Sequence, residues 1–338
     1  METIEIALAA DGGYFDQLFV TATSMAAYCR TDDAELRFNI LDGGIREDDW
    51  AYLVEKVNSL HEKSSFNRIP VDQALFGKFP TWNGNRMAYA RLLLPEVLKD
   101  VDWVLYSDCD FLWLRDVTEL WKERDNAFAV LAVRDAGSWE SKERTWFSKN
   151  GFDINGRGRP LSQEGSTHEN YFCSGMCLFN LKRFREEKII EKTASILEQH
   201  QDVPFVDQTA LNVTCAGAVK LVDEKWMRFT HFLTPETHAL PSVIHHAGEV
   251  PWRFVRRTQP LSDTMLLWHR FNAKVRDISL WCSLRRYFSP AQIVAHRLIA
   301  LCSRCALTRA FVLLLCKSTR HMGAFYFFKL RGVKYALP

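Results

Sequence analysis

What this chain has little of narrows it first. No uncharged apolar run approaches the roughly 18–20 residues that a membrane-spanning helix needs. The opening METIEIALAADGG has neither a basic leader nor an apolar core of signal-peptide length. Both absences predict a chain that stays in the cytoplasm, where the sequon Asn212-Val213-Thr214 would be idle. Nine cysteines, an odd number scattered through apparent strands and helices, make a poor disulfide framework and suit reduced, buried thiols. Cys302 and Cys305 form one C-x-x-C, but no second Cys or His pair accompanies it, so helical packing is a better reading than zinc. There is no internal repeat, no low-complexity tract and no recognised nucleic-acid module.

What is present is a large apolar fraction, 47% against 25% charged, in 338 residues, which predicts a globular protein with a sizeable core. The net charge of +2 hides an asymmetry: from Arg276 onward there are 11 Lys and Arg against one acid, Asp277, which leaves the rest of the chain acidic. This contrast divides the chain into a body, 1–270, and a basic, aromatic-rich helical extension, 271–338. Within the body, β-rich TIEIALA (3–9), helical 18–29 and β-rich 35–42 form a strand, helix, strand unit. The rhythm continues with helices near 46–59 and 85–98 and strands at 103–107 and 127–133, predicting a mostly parallel α/β sheet with covering helices. Residues 134–169 read as a long connection or lid. An apolar strand (171–181), a charged amphipathic helix (182–200) and a short helix opening with VDQTALN follow.

In open α/β sheets ligands bind beyond the carboxyl ends of the strands. Two such ends carry acids, Ala10-Asp11 and Ser107-Asp108-Cys109-Asp110. Alternate residues of an extended segment point the same way, so Asp108 and Asp110 could offer two carboxylates to one Mg or Mn ion while Cys109 turns aside. A solvated turn is the plain alternative. His245 and His246, in VIHHAGEVPW, follow an apolar strand and precede a glycine, and imidazole is an acceptable Mn ligand; taken alone they read better as ordinary loop or core histidines. Asp207 in VDQTALN reads by itself as a helix N-cap.

Together AADGGY (9–14), YARLLLPEVL (89–98), YSDCD (106–110), YFCSGMCLFNLKRFR (171–185), DQTALN (207–212) and HHAGEVPW (245–252) resemble, in order and spacing, the retaining glycosyltransferases of family 8. The likeness is nearest to the bacterial enzymes that extend the lipopolysaccharide core. It implies a GT-A fold, a Rossmann-like mixed sheet with covering helices, a UDP-glucose or UDP-galactose donor and a divalent cation, usually Mn. By position, Asp108, Asp110 and His245 match the family's metal ligands. Ala9, Ala10, Asp11 and Tyr14 match the turn that reads the nucleoside, and Arg91 matches a donor-sugar and phosphate contact, where helical periodicity alone reads a surface arginine. Cys109, Ser174 and Gly248 fall in the same donor-binding blocks. Asp207 and Gln208 match the pair against the donor sugar, Asp207 for binding and charge stabilisation and Gln208 nearest the reacting carbon.

Three departures stand out. Cys173 replaces a customary Asn; the late motif is one residue shorter and lacks a Lys, which Arg253 or Arg256 would replace; and Gly13 stands where a polar residue is common. The implied activity is transfer to a lipid-linked glycan at the cytosolic face of the inner membrane, giving an α-linkage. The alternatives are a non-catalytic sugar-nucleotide or glycan-binding protein on the same fold, or a nucleotidyltransferase, although AADGGYFDQ lacks the basic residues of the latter's phosphate loop. The extension, with a capping box at Ser289-Pro290-Ala291-Gln292 and a stripe of Val294, Leu298, Leu301 and Cys305 flanked by Arg297 and Arg304, is expected to lie on an anionic membrane. Packing of that stripe on the catalytic domain is the competing expectation.

Overall fold

Short apolar segments alternating with amphipathic ones build two sheets and their covering helices. The computed structural model describes residues 2–31, 33–82, 84–135, 143–152, 171–230, 241–248, 250–254 and 261–302. In chain order these form β1 (Glu2–Ala10), α1 (Phe15–Tyr28), β2 (Ala34–Asp42), α2 (Glu47–Leu60), β3 (Ser64–Pro70), α3 (Leu94–Val97), β4 (Trp103–Ser107) and β5 (Phe111–Trp113). Next come α4 (Val117–Trp121), β6 (Val130–Arg134), α5 (Arg144–Asn150), β7 (Phe172–Asn180), α6 (Leu181–Glu186), α7 (Ile189–Gln199), α8 (Val206–Thr214) and β8 (Val219–Leu221). The rest are β9 (Arg228–Phe229), β10 (Val243–His245), α9 (Asp263–Val275), α10 (Leu280–Arg285) and α11 (Pro290–Cys302). They divide into two units, Met1–Cys109 with Arg115–Trp226, and Asp110–Leu114 with Met227–Pro338.

The first unit holds a seven-stranded sheet in the order β3-β2-β1-β4-β7-β6-β8. Its pairings are mixed: β1 to β4 run parallel, β7 is antiparallel to both β4 and β6, and β8 is parallel to β6. The central strands β4 and β7 are buried along their whole length, as strands covered on both faces must be. The chain lays β2 and then β3 on one side of β1, and returns to place β4 on the other. The carboxyl ends of β1 and β4, where Leu8 pairs with Ser107, are therefore a topological switch point. The two acid-bearing strand ends picked out in the sequence meet there.

The second unit has a small sheet, β5-β10-β9, with β5 antiparallel and β9 parallel to β10. Its helices share a core of Leu261, Met265, Leu266, Leu284, Phe288 and Ile293. Ser262 and Ser279 cap α9 and α10. The capping box of α11 forms as the spacing predicts, with Ser289 N–H donating to Gln292 Oε1 at 2.9 Å and Gln292 N–H to Ser289 Oγ at 3.2 Å. Among the described residues no helix is long and apolar enough to cross a membrane.

Two expected helices differ. Over 85–98 the chain makes 3-10 turns at Met87–Leu93 before α3 begins at Leu94 with a proline in its first turn. Pro95 has no N–H to give and its ring would crowd the carbonyl four residues back, so one continuous α-helix cannot form. The expected helix over 182–200 is broken into α6 and α7 at Lys188, whose φ is 52°. Of the expected long connection, α5 is described, while 136–142 and 153–170 lie outside the described residues. So do Arg256 and residues 303–338, with Arg304, Cys305 and most of the basic tail. α9 runs across the compositional boundary at 270–271.

Candidate active site

At the switch point β1 ends and Asp11 turns the chain. Its Oδ1 accepts from the backbone N–H of Gly13 (3.0 Å) and Tyr14 (3.1 Å), and its Oδ2 from Asn85 Nδ2 (2.8 Å). The Tyr14 side chain stands 43% exposed at the start of α1. A Cβ at Gly12 would come within 2.7 Å of the Gly44 carbonyl, so two turns approach as closely here as backbone allows. Ala9 and Ala10 close β1 beneath them, Ala10 buried.

Arg91 is not on the surface. It is 5% exposed and lies at the centre of a polar cluster in the first unit. Its Nη2 donates to Asp108 Oδ1 at 2.8 Å, its Nε lies 3.1 Å from Asp207 Oδ2, and its Nη1 bonds the Ser174 carbonyl and Ser174 Oγ. The Tyr106 ring packs 4.3 Å from the guanidinium, and the Tyr106 hydroxyl donates to Asp108 Oδ1 at 2.9 Å. Burial opposes the charge on Arg91, but Asp108 and Asp207 outweigh it and hold the guanidinium protonated. One cation cannot neutralise two carboxylates. The cost falls on the more deeply buried acid: burial pushes the Asp207 carboxyl up to about 6, against the pull of Arg91. Asp207 is thus no N-cap. It sits in the first turn of α8, whose cap position, Phe205, makes no side-chain cap bond.

Gln208 is held at both ends of its amide. Oε1 accepts from Ser174 N–H (3.0 Å) and Nε2 donates to Asp135 Oδ2 (2.9 Å), with Tyr171 Oη at 3.4 Å. Asp135 was missed in the sequence, although its position was readable: it is the acid immediately after β6. Cys173 lies buried beside this network in β7, and burial drives its thiol well above the ordinary range, which makes it a neutral packing group. Asn212 is also buried, with both ends of its amide bonded to the backbone of Phe172, so the sequon offers no accessible side chain.

The Asp-x-Asp segment is a turn between β4 and β5, not the extended stretch expected. Cys109 does turn aside: its thiol donates to the Ala9 carbonyl (3.2 Å) and its own carbonyl accepts from Thr21 Oγ1 (2.8 Å), tying the turn to β1 and α1. In the second unit Asp110 meets His245, with Oδ2 3.4 Å from Nε2. The imidazole is flanked by the rings of Phe111 and Phe229, at 4.3 and 4.6 Å. Burial raises the Asp110 carboxyl, but His245 and His246 pull harder the other way and leave it below the usual carboxylate range. Asp110 Oδ1 and His245 Nδ1 are buried with no hydrogen-bond partner. Buried polar atoms are rarely left so, and a carboxylate oxygen and an imidazole nitrogen are both good donors to Mn or Mg, so this pair fits a divalent cation. No group of three or more such ligands is gathered among the described residues, and Asp108 is engaged by Arg91 and Tyr106. Gly248, at φ 90°, turns the chain three residues after His245.

The family profile described as "Glycosyl transferase family 8" matches residues 5–255, from β1 through β10. The chain belongs to that family. The family 8 chain is 25% identical over 272 residues to General stress protein A of Bacillus subtilis, covering 74% of its own length and 88% of the relative's. It is 26% identical over 230 residues to a putative glycosyltransferase of Haemophilus influenzae, covering 67% of itself and 63% of that protein. Among solved structures, galactosyltransferase LgtC in complex with donor and acceptor sugar analogues superposes with a TM-score of 0.63 at 25% identity, over 82% of this chain and 96% of LgtC. The seven-stranded mixed sheet is accordingly the GT-A fold, and the chain is a glycosyltransferase of the kind that takes a sugar from a nucleotide donor to a glycan acceptor.

Proposed function

We propose that this family 8 glycosyltransferase is a divalent-cation-dependent, retaining hexosyltransferase. It would move glucose or galactose from a UDP-sugar to a lipid-linked glycan, lipopolysaccharide core being the best candidate, and form an α-linkage. The likeness to a galactosyltransferase supports galactose. The observation that carries cation dependence is the Asp110–His245 pair, whose outer atoms are buried without partners. Asp108, two residues before Asp110, would join this pair in holding Mn or Mg, and such a cation would supply positive charge against a diphosphate leaving group.

This chain's residues would divide the remaining work. The Asp11 turn and Tyr14 would bind the nucleoside, the exposed ring stacking on the base. Arg91 and Ser174 hold the Asp207 carboxyl in place, and Asp207 would accept from sugar hydroxyls. Gln208, its amide fixed between Ser174 and Asp135, would stand against the reacting carbon. In a same-face displacement the carbon–oxygen bond to the phosphate breaks, the bond to the acceptor oxygen forms, and the acceptor proton passes to the leaving phosphate oxygen. The enzyme would work on the cytosolic face of the inner membrane. α11 supports this, because it exposes Val294 and Leu298 one turn apart beside Arg297.

A panel of UDP-sugars tests the reading. Transfer from UDP-galactose or UDP-glucose should require Mn or Mg, and NMR should find the α-anomer; a β-linked product would end the proposal. Asp110→Asn should lower transfer more than about 100-fold while leaving the fold intact, since it removes a charged ligand from a cation whose role is leaving-group stabilisation worth several kcal/mol. Activity within tenfold of the parent would remove Asp110 from the site.

A further inference from the structure

The segment after β10 has its two ends pinned, and the second pin lies in the helical part of the second unit. At the first end His245 pairs with Phe111, and His246 N–H donates to the Asp110 carbonyl at 2.9 Å. At the second end the Pro251 carbonyl lies 2.8 Å from His269 Nε2 on α9. The rings of Trp252 and Trp268 pack alongside, 5.9 Å apart. Between the pins sits Gly248, at φ 90°.

His269 is fully buried, and its other nitrogen, Nδ1, is 2.9 Å from Ser283 Oγ on α10. Ser283 Oγ in turn accepts from Asn272 Nδ2 at 3.0 Å, and Asn272 Oδ1 accepts from Arg276 Nε at 2.8 Å. The direction of every bond in this line follows from its ends. A guanidinium can only donate, so the Asn272 oxygen must face Arg276 and its NH2 must face Ser283. The Ser283 hydroxyl hydrogen is then free to go to His269 Nδ1. A carbonyl can only accept, so the single ring proton must sit on Nε2, facing Pro251. Burial lowers the His269 pKa to about 4, which keeps the ring neutral in this tautomer.

We propose that His269 is a positioning residue for donor binding: held by Ser283, Asn272 and Arg276, it fixes the Pro251 carbonyl and thereby the path of the His245–Gly248 segment. This rests on the reading of that segment as the cation and diphosphate end of the site. A segment fixed at both ends needs little ordering when the donor arrives, so loss of the second pin should weaken donor binding more than turnover.

The test compares His269→Phe, His269→Gln and Ser283→Ala in the full chain. His269→Phe keeps a ring but offers no N–H; His269→Gln retains a donor within reach of Pro251. For His269→Phe the expected result is a roughly tenfold rise in the UDP-sugar KM and in the UDP Kd with Mn, with kcat within about twofold. Amide hydrogen exchange across 246–252 should also accelerate. Gln should restore most of the affinity and Ser283→Ala should give a smaller loss in the same direction. A lowered Tm with unchanged KM, Kd and exchange in 246–252 would overturn the proposal, leaving His269 a core residue. Should His269→Phe fail to fold, Ser283→Ala decides by the same readouts, and unchanged values there overturn it equally. His245→Ala separates the two readings: if it leaves UDP affinity in Mn unchanged, the reading of the segment as the cation end has failed, whereas loss with His245→Ala but not with the His269 variants sinks only the positioning role.

Discussion

At the scale of single residues the decisive feature is one arginine between two carboxylates. Asp207 carries the surplus negative charge where water cannot screen it, and its carboxyl rises to about 6 through burial. An unfolded aspartate titrates near 3.9. Between these values the folded chain binds a proton that the unfolded chain does not, so stability falls as pH rises. The contribution is fully present below pH 4 and lost as pH climbs through 6. Two pH units correspond to about 3 kcal/mol as an upper figure. Asp207→Asn, neutral at every pH, should flatten this slope: urea denaturation at pH 4.5 and pH 7 should give a smaller difference for the variant than for the parent. An equal difference would mean that Asp207 is ionised throughout. The types of residue in this cluster were readable in the sequence, but the burial of Arg91 was not, because an amphipathic stretch normally turns its arginine outward.

At the scale of elements, the sequence discloses what apolar rhythm can encode. β1, β2, β4 and β7 announce themselves by β-rich or apolar runs, and the capping box of α11 by four letters. β3, SSFNRIP, does not, because an edge strand with no fully buried residue needs no apolar pattern. Backbone irregularities are hidden in the same way. Val206, the first residue of α8, has φ 35°, a conformation that β-branched residues avoid, and it immediately precedes Asp207. Such strain costs about 1–3 kcal/mol. Glycine at 206 would relieve it while losing about 1.5–3 kcal/mol of side-chain burial, so Val206→Gly should be near neutral. Alanine loses part of the burial and keeps the strain. The expected order of stability by urea denaturation is Gly at or above Ala, the reverse of the roughly 1 kcal/mol preference for Ala in ordinary helices. The usual order would show that the backbone here is unstrained. The line from Arg276 to Pro251 is only half legible: His269, Asn272 and Arg276 follow one another at helical spacing along α9, but nothing in the sequence joins them to Ser283 on α10 or to Pro251.

At the scale of the whole molecule, α11 carries an exposed apolar pair beside a basic residue. Val294 and Leu298 on α11 are 53% and 55% exposed. Cutting the chain after α9 is a poor test of membrane attachment, because Ser283, Leu284, Phe288 and Ile293 belong to the interior of the second unit. The double change Val294→Asp with Leu298→Asp is better. It should abolish co-sedimentation with phosphatidylglycerol vesicles at low salt and leave the fold unchanged, while binding of the parent should weaken as salt rises. Undiminished sedimentation of the variant would assign the membrane role elsewhere.

The five residues Asp110–Leu114 belong to one unit although the stretches on both sides of them belong to the other. As the chain leaves the ribosome, β5 emerges with Phe111, Leu112 and Trp113, all fully buried in the finished protein, and β10, its strand neighbour among the described residues, lies about 130 residues downstream. At ~5–20 residues per second that is a wait of roughly 7–25 s. The body can complete most of its sheet in that interval, but the aspartate of the expected cation site cannot reach its histidine. On the proposed reading enzymatic competence would come late in synthesis, and a nascent chain stalled before β10 would carry a finished sheet, an exposed greasy strand and an Asp110 without His245.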